Sequence, residues 1–301
     1  MRTRTGTLDA RQPFDFRRSL DFLHGFGPMS GEQAVEGGLA TKALMVDGQT
    51  VAFRLKKDGH GVGYELFSDE PLMESVADGV AQRISFFLSL EDDVGQFYSI
   101  AKGRDQKFYP LVEKLWGLHQ VKFLTLLEIS CWALINQRTQ RPTALRIKRS
   151  LTEKFGGSIE VDGAVYWAFP DRSRLEGATP RQLLELTRNQ RVAQRLVSLI
   201  TSRDVVDETF LRSAPYEKAK ERLQKVKGIG DWSSSFILFR GLGRMGRLQP
   251  IDLRPLGEAI ADVYGPEGKT LDDVNRTYGD WAGYWLHYLR ASTMATDDAV
   301  K

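Results

Sequence analysis

Two features of the chain carry chemistry. One is the run Val226-Lys227-Gly228-Ile229-Gly230-Asp231-Trp232; the other is Asp252, twenty residues after the tryptophan. A Gly-x-Gly between two helix-like segments makes a tight hairpin with exposed backbone N–H groups. Such groups, with a helix N-terminus behind them, bind a phosphate. Lys218, Lys220, Arg222 and Lys225 precede the hairpin and add positive charge to the same face. A single carboxylate that opens a later segment can act beside a backbone anchored in this way. Asp252 has two readings. It is a capping residue for a helix that starts near Leu253-Arg254-Pro255, or it opposes positive charge that builds on a sugar as a base departs, or activates water there.

The order of these residues resembles the helix-hairpin-helix DNA glycosylase superfamily, and in particular its bacterial 3-methyladenine DNA glycosylase II type. Pro13-Phe14-Asp15-Phe16 and Leu20-Asp21-Phe22-Leu23 are similar to the start of that family, and Ala133-Leu134-Ile135-Asn136-Gln137 to one of its helices. The resemblance spans about residues 13 to 295. It implies excision of alkylated, 3-methyladenine-like bases from duplex DNA, with Asp252 as the catalytic residue. It implies that Gly228, Ile229 and Gly230 hold the DNA backbone, with Gln137 and Arg138 at the intercalation site. A flipped base needs a pocket, for which the resemblance suggests Trp232, Phe236 and Phe22. Trp281, Tyr284, Trp285 and Tyr288 recur at helical spacing, a pattern that serves either a core or a pocket; Trp281 and Trp285 are its pocket candidates.

Bifunctional relatives carry a lysine nucleophile where this chain has Trp232, so a monofunctional hydrolase is implied. No cofactor or metal is expected, since iron–sulfur relatives need four cysteines and Cys131 is alone. Three positions depart from the family pattern. Asp231 suits a helix N-terminus but repels phosphate. Arg138 replaces an apolar wedge and either fills the gap left by the base or contacts phosphate. Leu253 replaces a pocket aromatic. Two competing readings remain: a noncatalytic DNA-binding protein that keeps the hairpin, and a glycosylase for another damaged base, with or without lyase action.

The rest of the chain must position these residues. Its 301 residues, 42% hydrophobic and 27% charged, suit a globular protein of two or three domains. The chain lacks a long apolar run and a secretory leader pattern, so a cytoplasmic, nucleoid-associated monomer acting on damaged double-stranded DNA, with no membrane partner, is the expectation. Residues 136–154 and 216–254 each carry a net +5, which leaves −7 elsewhere against an overall +3. That segregation is either a phosphate footprint or two solvated helix faces.

An α+β fold is expected: an N-terminal domain over residues 1–87 with a small antiparallel sheet, then a mainly helical core over 88–301 in two lobes, roughly 117–235 and 88–116 plus 236–301. Asp47-Gly48 marks a strand hairpin, and Tyr64 to Phe67 a further strand. Helices are expected over Ser19–Phe26, Pro71–Arg83, Pro142–Phe155, Pro180–Thr187, Arg191–Ser202, Asp272–Tyr278 and Trp281–Ser292, with the hairpin between Tyr216–Val226 and Trp232–Leu242. Leu124, Leu127, Cys131 and Leu134 form a buried helical stripe. Asp162 to Ser173 reads as a loop, and the tail beyond Met294 as frayed. The four histidines read as structural.

Overall fold

The structure, a computed structural model, describes residues 1–29 and 31–297. It is α+β, as expected. Five strands, β1 (Arg2–Leu8), β2 (Gln33–Glu36), β3 (Leu39–Val46), β4 (Gln49–Asp58) and β5 (Gly61–Ser68), form an antiparallel sheet in the order β1-β5-β4-β3-β2. Helix α1 (Phe16–Gly25) lies between β1 and β2. A second sheet, β6 (Gly157–Val161) with β7 (Ala164–Ala168), interrupts the helices further on. The helices that follow the large sheet are α2 (Glu74–Phe87), α3 (Val94–Arg104), α4 (Tyr109–Lys114), α5 (Leu126–Ile135), α6 (Arg141–Phe155), α7 (Arg172–Glu176), α8 (Pro180–Thr187) and α9 (Gln190–Thr201). After them come α10 (Glu208–Ser213), α11 (Tyr216–Gln224), α12 (Asp231–Phe236), α13 (Pro250–Leu253), α14 (Gly257–Tyr264), α15 (Leu271–Tyr278) and α16 (Ala282–Asp297).

Turn chemistry sets the strand pairing. Val46 pairs with Gln49 across Asp47-Gly48, and Val161 with Ala164 across Asp162-Gly163. All four turn residues have positive φ, between 50° and 81°, as a two-residue turn that follows the strand twist requires. The segment expected to be a loop, Asp162 to Ser173, therefore contains, after its opening turn, strand β7 and the first residues of α7, with irregular chain only between them. Ile159, Val161 and Ala168 pack on Ala43, Met45, Ala52 and Phe67, so the small hairpin covers the outer face of the large sheet. Arg54 fixes it there, with Nη2 2.5 Å from Asp162 and the guanidinium 5.1 Å from the centre of the Phe67 ring. Strand β1 shows little apolar signal because it is an edge strand, paired only with β5 and half exposed. Helix α2 starts at Glu74, after Pro71, and continues to Phe87.

Helix α5 sits at the centre. Every one of its residues is buried, so the expected stripe is an apolar surface on all sides, which is what a central helix requires. Glu128 is the exception in chemistry. Its Oε1 accepts from Lys148 Nζ on α6 at 2.7 Å. The same ammonium donates to Glu32 Oε2 at 2.7 Å and to the Pro28 carbonyl at 3.0 Å. Lys42 on β3 adds a contact to Glu32 at 3.3 Å. Burial opposes the charge on Glu32, but Lys148 and Lys42 hold its carboxyl below the usual range. Burial likewise opposes the charge on Lys148, and Glu128 and Glu32 hold its ammonium above the usual value.

Helix α16 runs to Asp297, so the first part of the expected frayed tail is helical; the rest of that expectation lies outside the described residues.

The buried charges yield the first expected outcome. Lys148→Met leaves Glu128 without its partner and Glu32 with Lys42 alone, and should destabilise the protein by roughly 3–5 kcal/mol near neutral pH. In the native protein the contribution from Glu32 is present above its unfolded pKa and is lost as pH falls through the lower folded value. Urea unfolding at several pH values should therefore show the gap between variant and native protein narrowing in acid. A gap independent of pH would refute the electrostatic account.

Candidate active site

Helices α11 and α12 flank the hairpin. Gly228 has φ +97°, and a Cβ there would lie 2.6 Å from Arg195 Cγ. Glycine is required at this position by both conformation and space. Gly230 differs: its φ is −96°, and a Cβ would meet nothing within 4 Å. Nothing within the described chain requires glycine at this position. Ile229 contributes its backbone only, since its side chain is 3% exposed and belongs to the core. Ser198 on α9 accepts from the Lys227 N–H at 3.1 Å and fixes the approach to the turn. Among the described residues the Gly228 and Gly230 N–H groups have no hydrogen-bond partner.

Asp231 does not stand as a free charge beside this surface. Lys220 Nζ lies 2.5 Å from its Oδ1, so the residue that seemed to oppose phosphate is neutralised from α11. The basic count is reduced in return. Lys148 and Arg240 are each 1% exposed, so the charge segregation of the sequence overstates the cationic surface. Exposed Lys225 and Lys227 and half-buried Arg195 remain near the turn.

Asp252 lies in the first turn of α13. Its Oδ2 accepts from the Gln249 N–H at 2.8 Å, and its own N–H donates to the Gln249 carbonyl at 2.9 Å. It therefore does cap a helix, from the third helical position and not from the N-cap itself. The cap uses one carboxylate oxygen. Oδ1 accepts no hydrogen bond among the described residues. Burial lifts the carboxyl above its ordinary range; the Gln249 N–H and the Arg290 guanidinium pull it back, and Asp231 adds to the rise. Asp231 and Lys220 are both among the charges felt at Asp252, so the carboxylate lies within electrostatic range of the hairpin. Arg290 was not anticipated. Its only signal in the sequence is a charge ending the otherwise apolar run Trp285-Leu286-His287-Tyr288-Leu289.

The aromatic candidates divide into three groups. Trp232 and Phe236 stack with centroids 5.1 Å apart and planes 15° from parallel, both half-buried. Phe22 connects to this pair through Phe26 and Phe123, in steps of 5.3, 5.6 and 6.3 Å. It also lines a cavity of about 490 Å³ between α1 and α16. Trp281 lines a different cavity, of about 700 Å³, with Tyr216, Arg244 and Asp280. Trp285 lines neither. It is fully buried, its Nε1 donates to the Tyr264 hydroxyl at 2.8 Å, and that hydroxyl donates to Asp105 at 2.7 Å. Tyr284 and Tyr288 are likewise buried, with their hydroxyls paired to Asp92 and Tyr98. The stripe on α16 is therefore core, and the pocket assignment of Trp285 does not hold.

Gln137 and Arg138 occupy the connection between α5 and α6. Arg138 is exposed and left-handed, with φ +53°. Gln137 turns inward. Its Nε2 donates to the Gly228 carbonyl at 2.8 Å and to Ser233 Oγ at 2.7 Å, so this side chain braces the hairpin and is not displayed to a duplex.

No protein-family model matches the chain. A curated protein of Bacillus subtilis (strain 168) named DNA-3-methyladenine glycosylase is 26% identical over 231 residues, covering 74% of this chain and 75% of that one. Among solved structures, 3-methyladenine DNA-glycosylase from Archaeoglobus fulgidus superposes with a TM-score of 0.76 at 20% identity, over 94% of this chain and 97% of that chain. An 8-oxoguanine glycosylase/lyase of Clostridium acetobutylicum, solved with double-stranded DNA containing cytosine opposite 8-oxoG, gives a TM-score of 0.68 at 17% identity over 98% of both chains.

The direction of the Asp252 shift can be checked directly. NMR titration of its carboxyl should give a pKa above that of an ordinary aspartate, and Arg290→Leu should raise it further by removing a stabilising charge. An unchanged or lower value in the variant would show that Arg290 does not act on this carboxylate.

Proposed function

We infer that this chain, a member of the helix-hairpin-helix DNA glycosylase superfamily, is a monofunctional DNA glycosylase that hydrolyses the N-glycosidic bond of alkylated bases in duplex DNA. The observation that carries the reading is the placement of Asp252. A partly buried carboxylate with one free oxygen lies within electrostatic range of a hairpin that leaves the Gly228 and Gly230 N–H groups without a partner among the described residues. The names of the curated relative and of the Archaeoglobus structure support the alkylated-base assignment.

The mechanism follows from charge. Departure of a base leaves oxocarbenium character on the sugar. An ionised Asp252 opposes that charge most strongly in the transition state, and Oδ1 is the oxygen available for it. Partial burial strengthens the interaction by excluding water. Burial also raises the carboxyl pKa, so excision should fall at a higher pH than an ordinary aspartate would give. The unpartnered N–H groups of Gly228 and Gly230 hold a phosphate and fix the strand, while the stacked Trp232–Phe236 pair offers an aromatic face to an extruded base. Trp232 supplies no amine, so water and not an imine completes the reaction. Phe22 belongs to the same aromatic ladder. Trp281 lies off it and takes no part in this reading.

The 8-oxoguanine structure raises a second reading, strand-cleaving action on an oxidised base. One assay separates the two. On duplexes that each carry one modified base, the native protein should release alkylated purines and leave abasic strands intact until alkali is added, with no covalent trapping by borohydride. Asp252→Asn should bind the same duplexes but lose excision by roughly 10²-fold or more. Asparagine keeps an oxygen for the Gln249 N–H and removes a charge that burial disfavours, so the melting temperature should hold or rise. Near-normal excision by this variant would remove Asp252 from the reaction.

The hairpin has its own test. A Cβ at Gly230 meets nothing within 4 Å, so Gly230→Leu, once shown by its melting temperature to be folded, should weaken binding to damaged and undamaged duplex alike. Native binding should also weaken steeply with salt, through release of counterions. A folded Gly230→Leu protein with native affinity would mean that the backbone is gripped elsewhere.

A further inference from the structure

We propose that Gln137 is a positioning residue that couples the hairpin to Arg138, so that capture of the DNA backbone and filling of the vacated base site occur as one event. The inference rests on the glycosylase reading above. It goes beyond that reading by giving the two residues of the connection different tasks.

The geometry separates them. Five residues, 136–140, join α5 to α6. A side-chain amide nitrogen has two hydrogens, and Gln137 uses them on two different parts of the hairpin. One goes to the Gly228 carbonyl in the turn, the other to Ser233 Oγ in the first turn of α12. Ser233 is 2% exposed, so this pairing is sheltered from water. Gln137 cannot enter a duplex without breaking both bonds. Arg138, the next residue, is exposed and free to do so.

Arg138 also holds a conformation that needs support. A non-glycine residue at φ +53° is uncommon and persists where its neighbours fix it. The Asn136 N–H is bound to the Trp132 carbonyl at 2.9 Å on one side. On the other, Thr139 Oγ1 donates to the Gln137 carbonyl at 3.2 Å. The side chain of Gln137 is the third fixed point, and it leads to Gly228. That glycine is itself locked, with Arg195 packed where a Cβ would be. A phosphate held by the outward N–H groups of the turn would fix Gly228, whose carbonyl holds Gln137, whose backbone aims Arg138. Within the protein the path passes through three residues, Gly228, Gln137 and Arg138, joined by one hydrogen bond and one peptide bond.

The test compares Gln137→Leu, Arg138→Ala and the double variant with native protein. The substrate is a duplex with one alkylated base and a neighbouring 2-aminopurine, whose fluorescence rises when the stack opens. Gln137→Leu should keep native duplex affinity and salt dependence within about twofold. It should lose 2-aminopurine fluorescence and the single-turnover rate at saturating enzyme by roughly tenfold, the scale of two neutral hydrogen bonds lost. In the Arg138→Ala background the same change should cost little more, because both act on one step. Additive losses would overturn the coupling. So would a fall in affinity with the saturated rate unchanged, which would make Gln137 a support for the hairpin alone. If Gln137→Leu melts well below the native protein, Ser233→Ala removes one of the two bonds and should give the same pattern at smaller size. Native protein that neither opens the stack nor excises the base would instead refute the glycosylase reading, and a native protein that excises while the Gln137 variants match it would refute the coupling only.

Discussion

The buried ammonium of Lys148 is the constraint on which the arrangement depends. It joins α6 to α5 through Glu128, and both to the N-terminal segment through Glu32 and the Pro28 carbonyl. A charge 1% exposed is costly unless its partners are held in place. The sheet, the central helix and the helix after it are thereby tied to one relative position. The same ammonium lies 5.7 Å from the centre of the Phe123 ring, which is a rung between Phe26 and Phe236. Between the two tied helices lies the short connection that bears Gln137 and Arg138.

The candidate site has a second economy of the same kind. Asp252 closes the first turn of α13 with one oxygen and offers the other, so its orientation does not depend on a substrate. Arg290 keeps part of the cost of burial in check without an ion pair tight enough to consume the carboxylate. Lys220 does something similar for Asp231 at the hairpin. These pairings leave a field near the turn that is more balanced than the residue counts suggest. Under the proposed glycosylase reading, recognition of DNA there would rely on the unpartnered N–H groups as much as on net charge.

Much of this was legible in the sequence, and the reasons differ by residue. The hairpin and its flanking helices follow from local chemistry, with glycines where the turn bends; Asp252 was singled out through the family resemblance, by its spacing from Trp232. The helices over Pro142–Phe155 and Pro180–Thr187 were legible because proline opens each, and Thr179 caps the second with Gln182. Strand β7 was not, because Val165, Tyr166 and Trp167 are partly exposed and the hairpin is fixed by a sheet distant in sequence. Trp285 was misread because spacing shows that a face is aromatic but not what covers it. Gln137 was expected at the intercalation site, but the direction of its side chain depends on a carbonyl 91 positions later. The pairing of Asp231 with Lys220, and the burial of Arg240, are likewise tertiary facts that a count of charges cannot contain.

The hairpin of β6 and β7 has a consequence for how the protein is made. The large sheet is complete at Ser68, but Ala43, Met45 and Phe67 on its outer face wait for Ile159, Val161 and Ala168. On a ribosome that interval is about a hundred residues, or roughly 5–20 s of synthesis. Throughout it a nascent sheet presents an uncovered apolar face beside the unpaired edges of β1 and β2, the kind of surface that seeds association between chains. The protein therefore passes through a vulnerable stage set by chain order and not by final stability. Expression yield should depend on what shields that face early, even in variants whose finished fold is sound.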